Sequence, residues 1–147
     1  VVISGDGPER RALEARARAL GAKVEFTGEL SQEELVDHLH ACSVFVFPSV
    51  ARSEAFGISI LEAHACGKPV VATKLGTGVE FSNLDGETGL NVSPRDPAVL
   101  AAAVNLLLAD SELRGRLGET ARRRVRTSFD AESIARQELS LYESTLE

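Results

Sequence analysis

Short apolar runs alternate with amphipathic stretches along the first two-thirds of the chain. The apolar runs predict β-strands, and the stretches between them predict α-helices. The predicted strands are Val1–Ser4, Val24–Thr27, Val44–Phe47, Val70–Thr73 and Thr88–Val92. Because these strands are almost continuously apolar and are separated by helices, they predict a parallel sheet covered on both faces. Right-handed crossovers would then give an α/β fold of the Rossmann-like, doubly wound type.

Capping residues mark the ends of the predicted helices. Ser31 followed by Glu34 is a capping-box pattern, and Gly67 follows the end of a helix. The pattern then becomes helical throughout, which predicts a helical tail at 96–147 within a single domain spanning 1–147. The predicted helices are Pro8–Leu20, 31–41, Phe56–Ala65, Ala98–Leu108, Ser111–Leu117, Glu119–Ser128 and Ala131–Leu146.

The charge balance argues against a nucleic acid as partner. The 147 residues carry 16 Lys and Arg against 22 Asp and Glu, a formal net charge of -6. Nucleic-acid-binding domains are usually basic, overall or on one face. The arginine-rich run 122–126 predicts a solvated helix face. No apolar run approaches the roughly 18 residues that a membrane span needs.

The cysteines and histidines do not predict a metal site. Cys42 and Cys66 form no Cys-x-x-Cys pair and lie in Ala-rich surroundings, where reduced, buried thiols of a cytoplasmic protein are expected. His38 and His40 are two positions apart on a predicted helix, so they point in different directions. We therefore expect neither a metal nor a cofactor.

The first residues of the chain, 1–5, already form a buried strand that runs into a glycine turn. A natural protein rarely begins in the middle of a core strand. We therefore expect the chain to be a fragment of a longer protein, with an N-terminal part that precedes Val1.

Three loops are expected at the carboxyl ends of the strands, where open parallel α/β sheets bind ligands. They are residues 5–8, 48–57 and 74–78. The first has Arg10 where a dinucleotide fingerprint has its third glycine, and no Gly-Lys-Ser/Thr follows it as in a P-loop. A tight turn and a ligand contact are equally supported there.

The loop 48–57 and the helix after it carry two glutamates, Glu54 and Glu62. A helix N-terminus favours an anion, and Gly57 at that position would let a phosphate approach the backbone closely. Glu62 lies beside the apolar stripe of this helix and could accept hydrogen bonds from ribose hydroxyls. The spacing is equally compatible with structural roles, in which Glu54 caps the helix and Glu62 faces solvent. The stripe expected to face the sheet consists of Ile58, Leu61 and Ala65.

Taken in order, these segments closely resemble the C-terminal domain of glycosyltransferase family 4, two-domain retaining enzymes of the B-type fold. The similarity extends over essentially the whole chain, and the order and spacing of the segments make it specific. The matching segments are Gly5–Pro8, Val24–Gly28, Val46–Ser49, Ser53–Gly57, Leu61–Ala63, Gly67–Thr73 and Gly86–Leu90.

The resemblance implies a nucleotide-diphosphate sugar, GDP-mannose or a UDP-sugar, as donor. By resemblance, Glu54 is the catalytic candidate beside the donor sugar and its departing phosphate, and Glu62 holds the ribose. Gly7 would lie near the nucleotide, and Glu25–Gly28 would border the base. The remaining donor-binding candidates are Phe56, Gly57, Ile58 and Leu61.

The chain departs from the family pattern in what it lacks. The family's phosphate-binding Arg and Lys belong to a segment upstream of Val1, and a glycan or lipid-linked acceptor would be bound by a missing N-terminal domain. We therefore expect this chain alone to transfer no sugar. The loop Leu75–Asn83 resembles that of bacterial rhamnosyl- and mannosyltransferase-like members, which implies polysaccharide or lipopolysaccharide assembly. By the same resemblance, the parent would be cytoplasmic, at the periphery of the inner membrane.

Two alternatives remain open. Nucleotide-sugar epimerases and glycogen phosphorylases share a related fold, and phosphorylases carry a pyridoxal-phosphate lysine in this half. The surroundings of Lys68 and Lys74 match the transferase pattern instead. The second alternative is a non-catalytic nucleotide-binding module, against which the presence of both glutamates and the glycine turn argues.

Overall fold

The computed structural model describes residues 1–145, which form two compact units: Val1–His38 and a second unit that begins at Leu39. The strands are β1 (Val2–Ser4), β2 (Glu25–Gly28), β3 (Phe45–Phe47), β4 (Val70–Thr73) and β5 (Gly89–Val92). The helices are α1 (Arg10–Ala19), α2 (Gln32–Ala41), α3 (Ile58–Ala65), α4 (Val79–Ser82), α5 (Pro97–Ala109), α6 (Ser111–Ser128) and α7 (Ala131–Thr145). The predicted α/β class and all five predicted strands are confirmed. The predicted last residue of the final helix, Leu146, lies outside the described residues.

In the first unit, β1 and β2 pair in parallel, with Ile3 opposite Phe26. Helix α1 begins at Arg10, two residues later than predicted, because Pro8 and Glu9 form a turn. It ends before Gly21, whose φ of 60° is the left-handed conformation that glycine adopts without strain.

The second unit is built on a three-stranded parallel sheet in the order β3-β4-β5. The central strand β4 is buried along its whole length. Its residue Val71 packs in a core cluster with Val92, Leu107 and Leu117, which joins the sheet to α5 and α6. Burying one such side chain stabilises the fold by about 1.5–3 kcal/mol. Helices α5 and α6 of the tail are therefore part of the core of this unit.

The predicted capping box at α2 is confirmed. The Ser31 N–H donates to Glu34 Oε2 at 2.8 Å, and the Glu34 N–H donates to Ser31 Oγ at 3.3 Å. The Ser31 hydroxyl also donates to Glu34 Oε2, at 2.7 Å, and these two bonds to the carboxylate lower the pKa of Glu34. Asp96 and Asp110 cap α5 and α6 with their side chains alone: Asp96 accepts from two first-turn N–H groups, and Asp110 accepts from the Leu113 N–H.

The prediction of separate helices at 111–117 and 119–128 is wrong, because both stretches belong to the continuous helix α6. Gly118, at the position of the predicted break, lies buried inside the helix. A Cβ atom at this position would stand 2.2 Å from the carbonyl oxygen of Gly67, just after α3. The glycine therefore allows α6 to approach the end of α3 and does not end the helix.

Helix α4 was not predicted from the sequence. Its first turn is held by Glu80, whose carboxylate accepts from the Gly76 N–H at 2.7 Å and from the Thr77 N–H at 3.3 Å. A helix of four residues is too short for a hydrophobic period to be visible. Helix α4 follows β4 and lies next to the loop that carries Glu54, as described below.

Candidate functional site

The carboxyl ends of β3, β4 and β5 form one edge of the second unit. A depression of about 210 Å³ at this edge is lined by residues of the loop after β3, from Ser49 to Glu54. A second depression of about 180 Å³ has Val50 as a shared wall and reaches Thr73 and Arg95. Each is smaller than the roughly 300–1,000 Å³ of a typical small-molecule pocket. A ligand of nucleotide size would therefore extend beyond either of them.

Helix α3 begins at this edge, after Gly57. Gly57 has φ 78° and ψ 65°, and a Cβ atom there would lie 2.8 Å from Ile60 Cδ1. Glycine is thus required by both conformation and space. Within the described second unit, the N–H groups of Ile58 and Ser59 have no acceptor. Free donors at a helix N-terminus form a site for an anion.

Glu54 lies at this helix start, as predicted. Its Oε1 accepts a hydrogen bond from the Gly57 N–H at 3.1 Å, and the residue is half-buried. The geometry matches the helix-capping interpretation that the spacing left open. The carboxylate also lines the larger depression, so capping does not withdraw Glu54 from the edge.

Glu62 is half-buried on α3, four residues after Ile58 and therefore on the same side of the helix. Its carboxylate accepts no hydrogen bond from the described residues. Ile58 is 70% exposed, so this side of the helix is the open one. Leu61 is half-buried next to Glu62.

The predicted buried stripe of α3 is wrong. Ile58 and Ala65 are exposed, and the buried residues are Ile60, Ala63 and His64. Both sets follow helical spacing, so spacing alone does not decide which of them is buried. The structure buries that histidine, and the open side of α3 carries Glu62.

His64 is fully buried, and neither ring nitrogen has a hydrogen-bond partner among the described residues. Burial lowers the pKa of His64 to about 4, and the nearby Arg124 acts in the same direction. The imidazole is therefore neutral near pH 7. It fills the core behind the open side of α3 as an apolar side chain would.

The backbone of the loop before α3 is fixed from behind by α4. The Gly78 N–H donates to the Ala55 carbonyl at 2.7 Å, and Ser82 Oγ donates to the Phe56 carbonyl at 2.7 Å. The Phe56 side chain packs against the rings of Phe81 and Phe129, with centroids 6.3 and 6.2 Å away. These contacts start α3 at Ile58, two residues later than predicted.

Sequence reasoning missed the two polar residues behind this loop, Ser82 and Arg124. Ser82 belongs to the unpredicted helix α4, and Arg124 belongs to the run that predicted a solvated helix face. Arg122, Arg123 and Arg126 are exposed as predicted, whereas Arg124 is half-buried. Phe129 follows Arg124 closely in sequence, but Phe81 and the α4 carbonyls that the guanidinium binds are distant, so no local pattern distinguished Arg124 from its neighbours.

Gly7 belongs to the first unit, where its N–H donates to Asp6 Oδ1 at 2.7 Å. The left-handed conformation in this turn is that of Gly5, with φ 104° and its N–H bound to the Gly28 carbonyl at 2.7 Å. Arg10 holds the turn by contacting Asp6 at 3.3 Å and the Phe26 carbonyl at 3.2 Å. The placement of Gly7 near a nucleotide stays a prediction.

The described residues, 1–145, contain neither a metal-binding cluster nor a membrane-spanning helix. No group of three or more His, Cys, Asp or Glu side chains there is arranged to hold a metal ion. Within the same residues, none of the helices combines the length and the apolar character of a membrane-spanning segment. Cys42 and Cys66 are free, half-buried thiols, less buried than predicted.

The chain is similar in sequence to a known protein family and to known bacterial proteins. The family model described as "Glycosyl transferases group 1" matches residues 1–124. The D-rhamnosyltransferase WbpZ of Pseudomonas aeruginosa is 42% identical over 132 residues, covering 89% of this chain and 35% of that protein. The O-antigen chain mannosyltransferase C of Escherichia coli is 37% identical over 148 residues, covering 100% of this chain and 40% of that protein. The chain thus spans well under half the length of these relatives.

Solved structures show the same fold. The sucrose-phosphate synthase of Thermosynechococcus elongatus has a TM-score of 0.85 and 35% identity, covering 99% of this chain and 38% of that one. HepE of Anabaena in complex with UDP-glucose has a TM-score of 0.85 and 27% identity, covering 97% and 40%. The predicted resemblance to a glycosyltransferase domain is therefore confirmed. The chain belongs to the glycosyl transferases group 1 family.

Proposed function

We propose that this chain is the donor-binding part of a retaining transferase of family 4, which moves a hexose from a nucleotide-diphosphate sugar to a glycan or lipid-linked acceptor. The observation that carries the proposal is the start of α3. There the unbonded N–H groups of Ile58 and Ser59 lie between Glu54 and the open side of the helix that carries Glu62.

Each part of the donor has a matching group at this edge. The diphosphate lies at the N-terminus of α3, where Phe56, Gly57 and Ile58 supply the backbone and the helix dipole favours negative charge. Glu62 accepts hydrogen bonds from the ribose, and Leu61 lies beside it. The complex of HepE with UDP-glucose supports a nucleotide sugar as the ligand class.

Transfer breaks the bond between the anomeric carbon and the diphosphate and forms a bond from that carbon to an acceptor hydroxyl oxygen, whose proton passes to the departing diphosphate. Negative charge develops on the departing diphosphate, so donors that are already oriented toward it stabilise the transition state. The fixed backbone at the start of α3 supplies such donors. Glu54, beside it, holds the sugar hydroxyls on the same side, and retention places the new bond on the face that the diphosphate leaves.

The relatives favour a particular donor and product. They are a D-rhamnosyltransferase and a mannosyltransferase of an O-antigen chain, both bacterial. GDP-mannose or a related donor, with a growing surface polysaccharide as acceptor, is therefore the proposed substrate pair, and UDP-sugars are the alternative donors. We propose that the parent protein works without metal or cofactor in the cytoplasm, at the periphery of the inner membrane.

Isothermal titration calorimetry of the chain with GDP, UDP, GDP-mannose and UDP-glucose tests the proposal, with ATP as the control nucleotide. We expect at least one of the four to bind with a one-to-one stoichiometry and more tightly than ATP. A folded sample that binds none of the four would contradict the donor-binding function. The preferred base identifies the donor.

A further inference from the structure

Arg124 lies on α6, outside the depressions at the sheet edge, and its guanidinium contacts α4. Its Nη2 donates to the Phe81 carbonyl at 2.7 Å, and its Nη1 donates to the Ser82 carbonyl at 3.2 Å. These are the last two carbonyls of α4, which carry the partial negative charge of a helix C-terminus. Arg124 therefore supplies the charge and the donors that this short helix lacks at its end.

The same guanidinium lies over two aromatic rings. Its central carbon is 5.1 Å from the ring centroid of Phe81 and 4.8 Å from that of Phe129. Phe81 remains 59% exposed, so burial of its ring holds α4 only weakly. A planar guanidinium can stack on rings and donate in its plane at the same time, which a lysine ammonium cannot do.

Helix α4 in turn holds the loop that precedes α3 in place through two hydrogen bonds. Gly78 and Ser82, at the two ends of α4, bind the carbonyls of Ala55 and Phe56, each at 2.7 Å. The contact is close, because a Cβ atom at Gly78 would lie 2.7 Å from the Ala55 oxygen and 2.9 Å from the Phe56 ring. A displacement of α4 would therefore displace these two peptide groups.

Fixing a carbonyl also fixes the next N–H, because a trans peptide is planar and its C=O and N–H point in opposite directions. With the Ala55 and Phe56 carbonyls bound by α4, the N–H groups of Phe56 and Gly57 point away from α4. The Gly57 N–H accordingly meets Glu54 Oε1 at 3.1 Å. Helix α4 thus sets the direction of the Phe56 and Gly57 N–H groups, directly before the free N–H groups of Ile58 and Ser59.

We propose that Arg124 is a positioning residue for donor binding: by clamping α4, it holds the peptide groups of residues 55–57 in the orientation that receives the diphosphate. In this arrangement, Arg124 does not itself contact the nucleotide sugar. The proposal rests on the proposed function for its ligand, whereas the clamp itself is a property of the protein without ligand. The two are therefore tested by separate measurements.

The first measurement is amide hydrogen exchange by NMR on the 15N-labelled chain without ligand. We expect Arg124→Gln to speed exchange of the Gly57 amide about tenfold or more, while the central strand residue Val71 keeps its rate. Arg123→Gln, an exposed arginine one position away on the same helix, is the matched control and should change neither. Unchanged exchange at Gly57 in a folded Arg124→Gln variant would overturn the clamp.

A second variant covers the case in which Arg124→Gln fails to fold. Ser82→Ala removes only the hydroxyl that binds the Phe56 carbonyl and leaves Arg124 in place. Like Arg124→Gln, it should speed exchange of the Gly57 amide. Normal exchange at Gly57 in Ser82→Ala would overturn the link between α4 and the loop.

The second measurement compares nucleoside diphosphate with monophosphate binding, with UDP and UMP or GDP and GMP as probes. Arg124→Gln should lower the ratio of diphosphate to monophosphate affinity about tenfold, because the misdirected N–H groups face the outer phosphate. Arg124→Lys, which keeps the charge, should fall between wild type and Arg124→Gln. Arg123→Gln should leave the ratio unchanged.

The outcomes separate the clamp from a general structural role and from the proposed function. Equal weakening of diphosphate and monophosphate by Arg124→Gln would mean a general loss of structure and would overturn positioning. No binding of either probe by the wild-type chain contradicts the proposed function. In that case the exchange of the Gly57 amide alone decides whether the clamp exists.

Discussion

Glu54 and Glu62 lie at the same helix in different environments. The Glu54 carboxylate is occupied by the Gly57 N–H, whereas the Glu62 carboxylate has no partner among the described residues and lies on the open side of α3. An acceptor that is already bonded contributes to the shape of the site, and one that is free is available to a ligand. Glu62 is therefore the residue whose removal should affect the ligand most and the fold least.

We expect Glu62→Ala to weaken nucleotide binding by about 1–3 kcal/mol, the scale for losing a charged hydrogen-bond partner. Titration calorimetry with the preferred nucleotide gives the affinity, and urea unfolding should show almost no change in stability. Glu119→Ala, which removes an exposed carboxylate on α6, is the control. An unchanged affinity in Glu62→Ala would make Glu62 a surface residue without a role in binding.

His64 makes the stability of the protein depend on pH. Its folded pKa of about 4 lies below the ordinary value of 6.5, because burial disfavours the imidazolium. The unfolded chain takes up the proton first, so the stabilisation is fully present above pH 6.5 and is lost as the pH falls toward 4. The loss attributable to His64 is about 3 kcal/mol across this window.

Urea unfolding followed by circular dichroism at several pH values measures this dependence. Relative to wild type, His64→Leu should lose stability less steeply between pH 6.5 and pH 4, since its side chain cannot take up a proton. His40→Leu replaces an exposed histidine and should keep the wild-type slope. If the slopes of wild type and His64→Leu coincide, the buried imidazole is not the group that titrates.

At the scale of elements, α6 is the helix on which the site depends. It packs against α3 through the close approach of Gly118 to the Gly67 carbonyl, and it contacts α4 through Arg124. It also contributes Leu117 to the core. One helix of the tail therefore supports both helices that shape the sheet edge.

Two glycines of α6 give opposite predictions. Gly118→Ala should destabilise the protein by about 2 kcal/mol or more, because its methyl group would stand 2.2 Å from the Gly67 oxygen and must push α6 away from α3. Gly115 is exposed with nothing within 4 Å of a Cβ atom, so Gly115→Ala should stabilise by about 0.5–1 kcal/mol. Urea unfolding of the two variants is the measurement. Equal effects would mean that α6 is not in close contact with α3.

The sequence predicted the elements that have a local cause. The β4 bounds and the capping box at Ser31 and Glu34 both depend on neighbours within a few positions. The errors arose where a distant contact decides the outcome. The break predicted after Leu117 is absent, and Gly118 there packs closely against Gly67, which is far away in sequence. Which side of α3 is buried was likewise set by packing, which an apolar pattern on both sides does not reveal.

At the scale of the whole molecule, the charge is the feature with a consequence for partners. The chain has a net charge of -6, although α6 carries exposed arginines at 122, 123 and 126. A small basic face on an acidic chain releases few counterions from DNA, and long-range repulsion opposes the encounter.

We expect no binding of a 20-base-pair DNA duplex tighter than about 10⁻⁴ M at physiological salt, the weak end of non-specific affinities. Fluorescence anisotropy of the labelled duplex gives the affinity. The triple variant Arg122→Gln, Arg123→Gln, Arg126→Gln should behave as the wild type does. Binding near 10⁻⁶ M that the triple variant abolishes would make this face of α6 a nucleic-acid surface.

The contact between α3 and α6 also has a consequence during synthesis of the chain. Ala65, the last residue of α3, precedes Ser111, the first residue of α6, by about 46 positions. At roughly 5–20 residues per second, the first residue of α6 leaves the ribosome about 2–9 s after the end of α3, and Gly118 and Arg124 follow it. For that interval the end of α3 at Gly67 has nothing to pack against, and α4 has no arginine clamp. The nascent sheet edge can therefore assemble its donor-binding geometry only when the helical tail has been made.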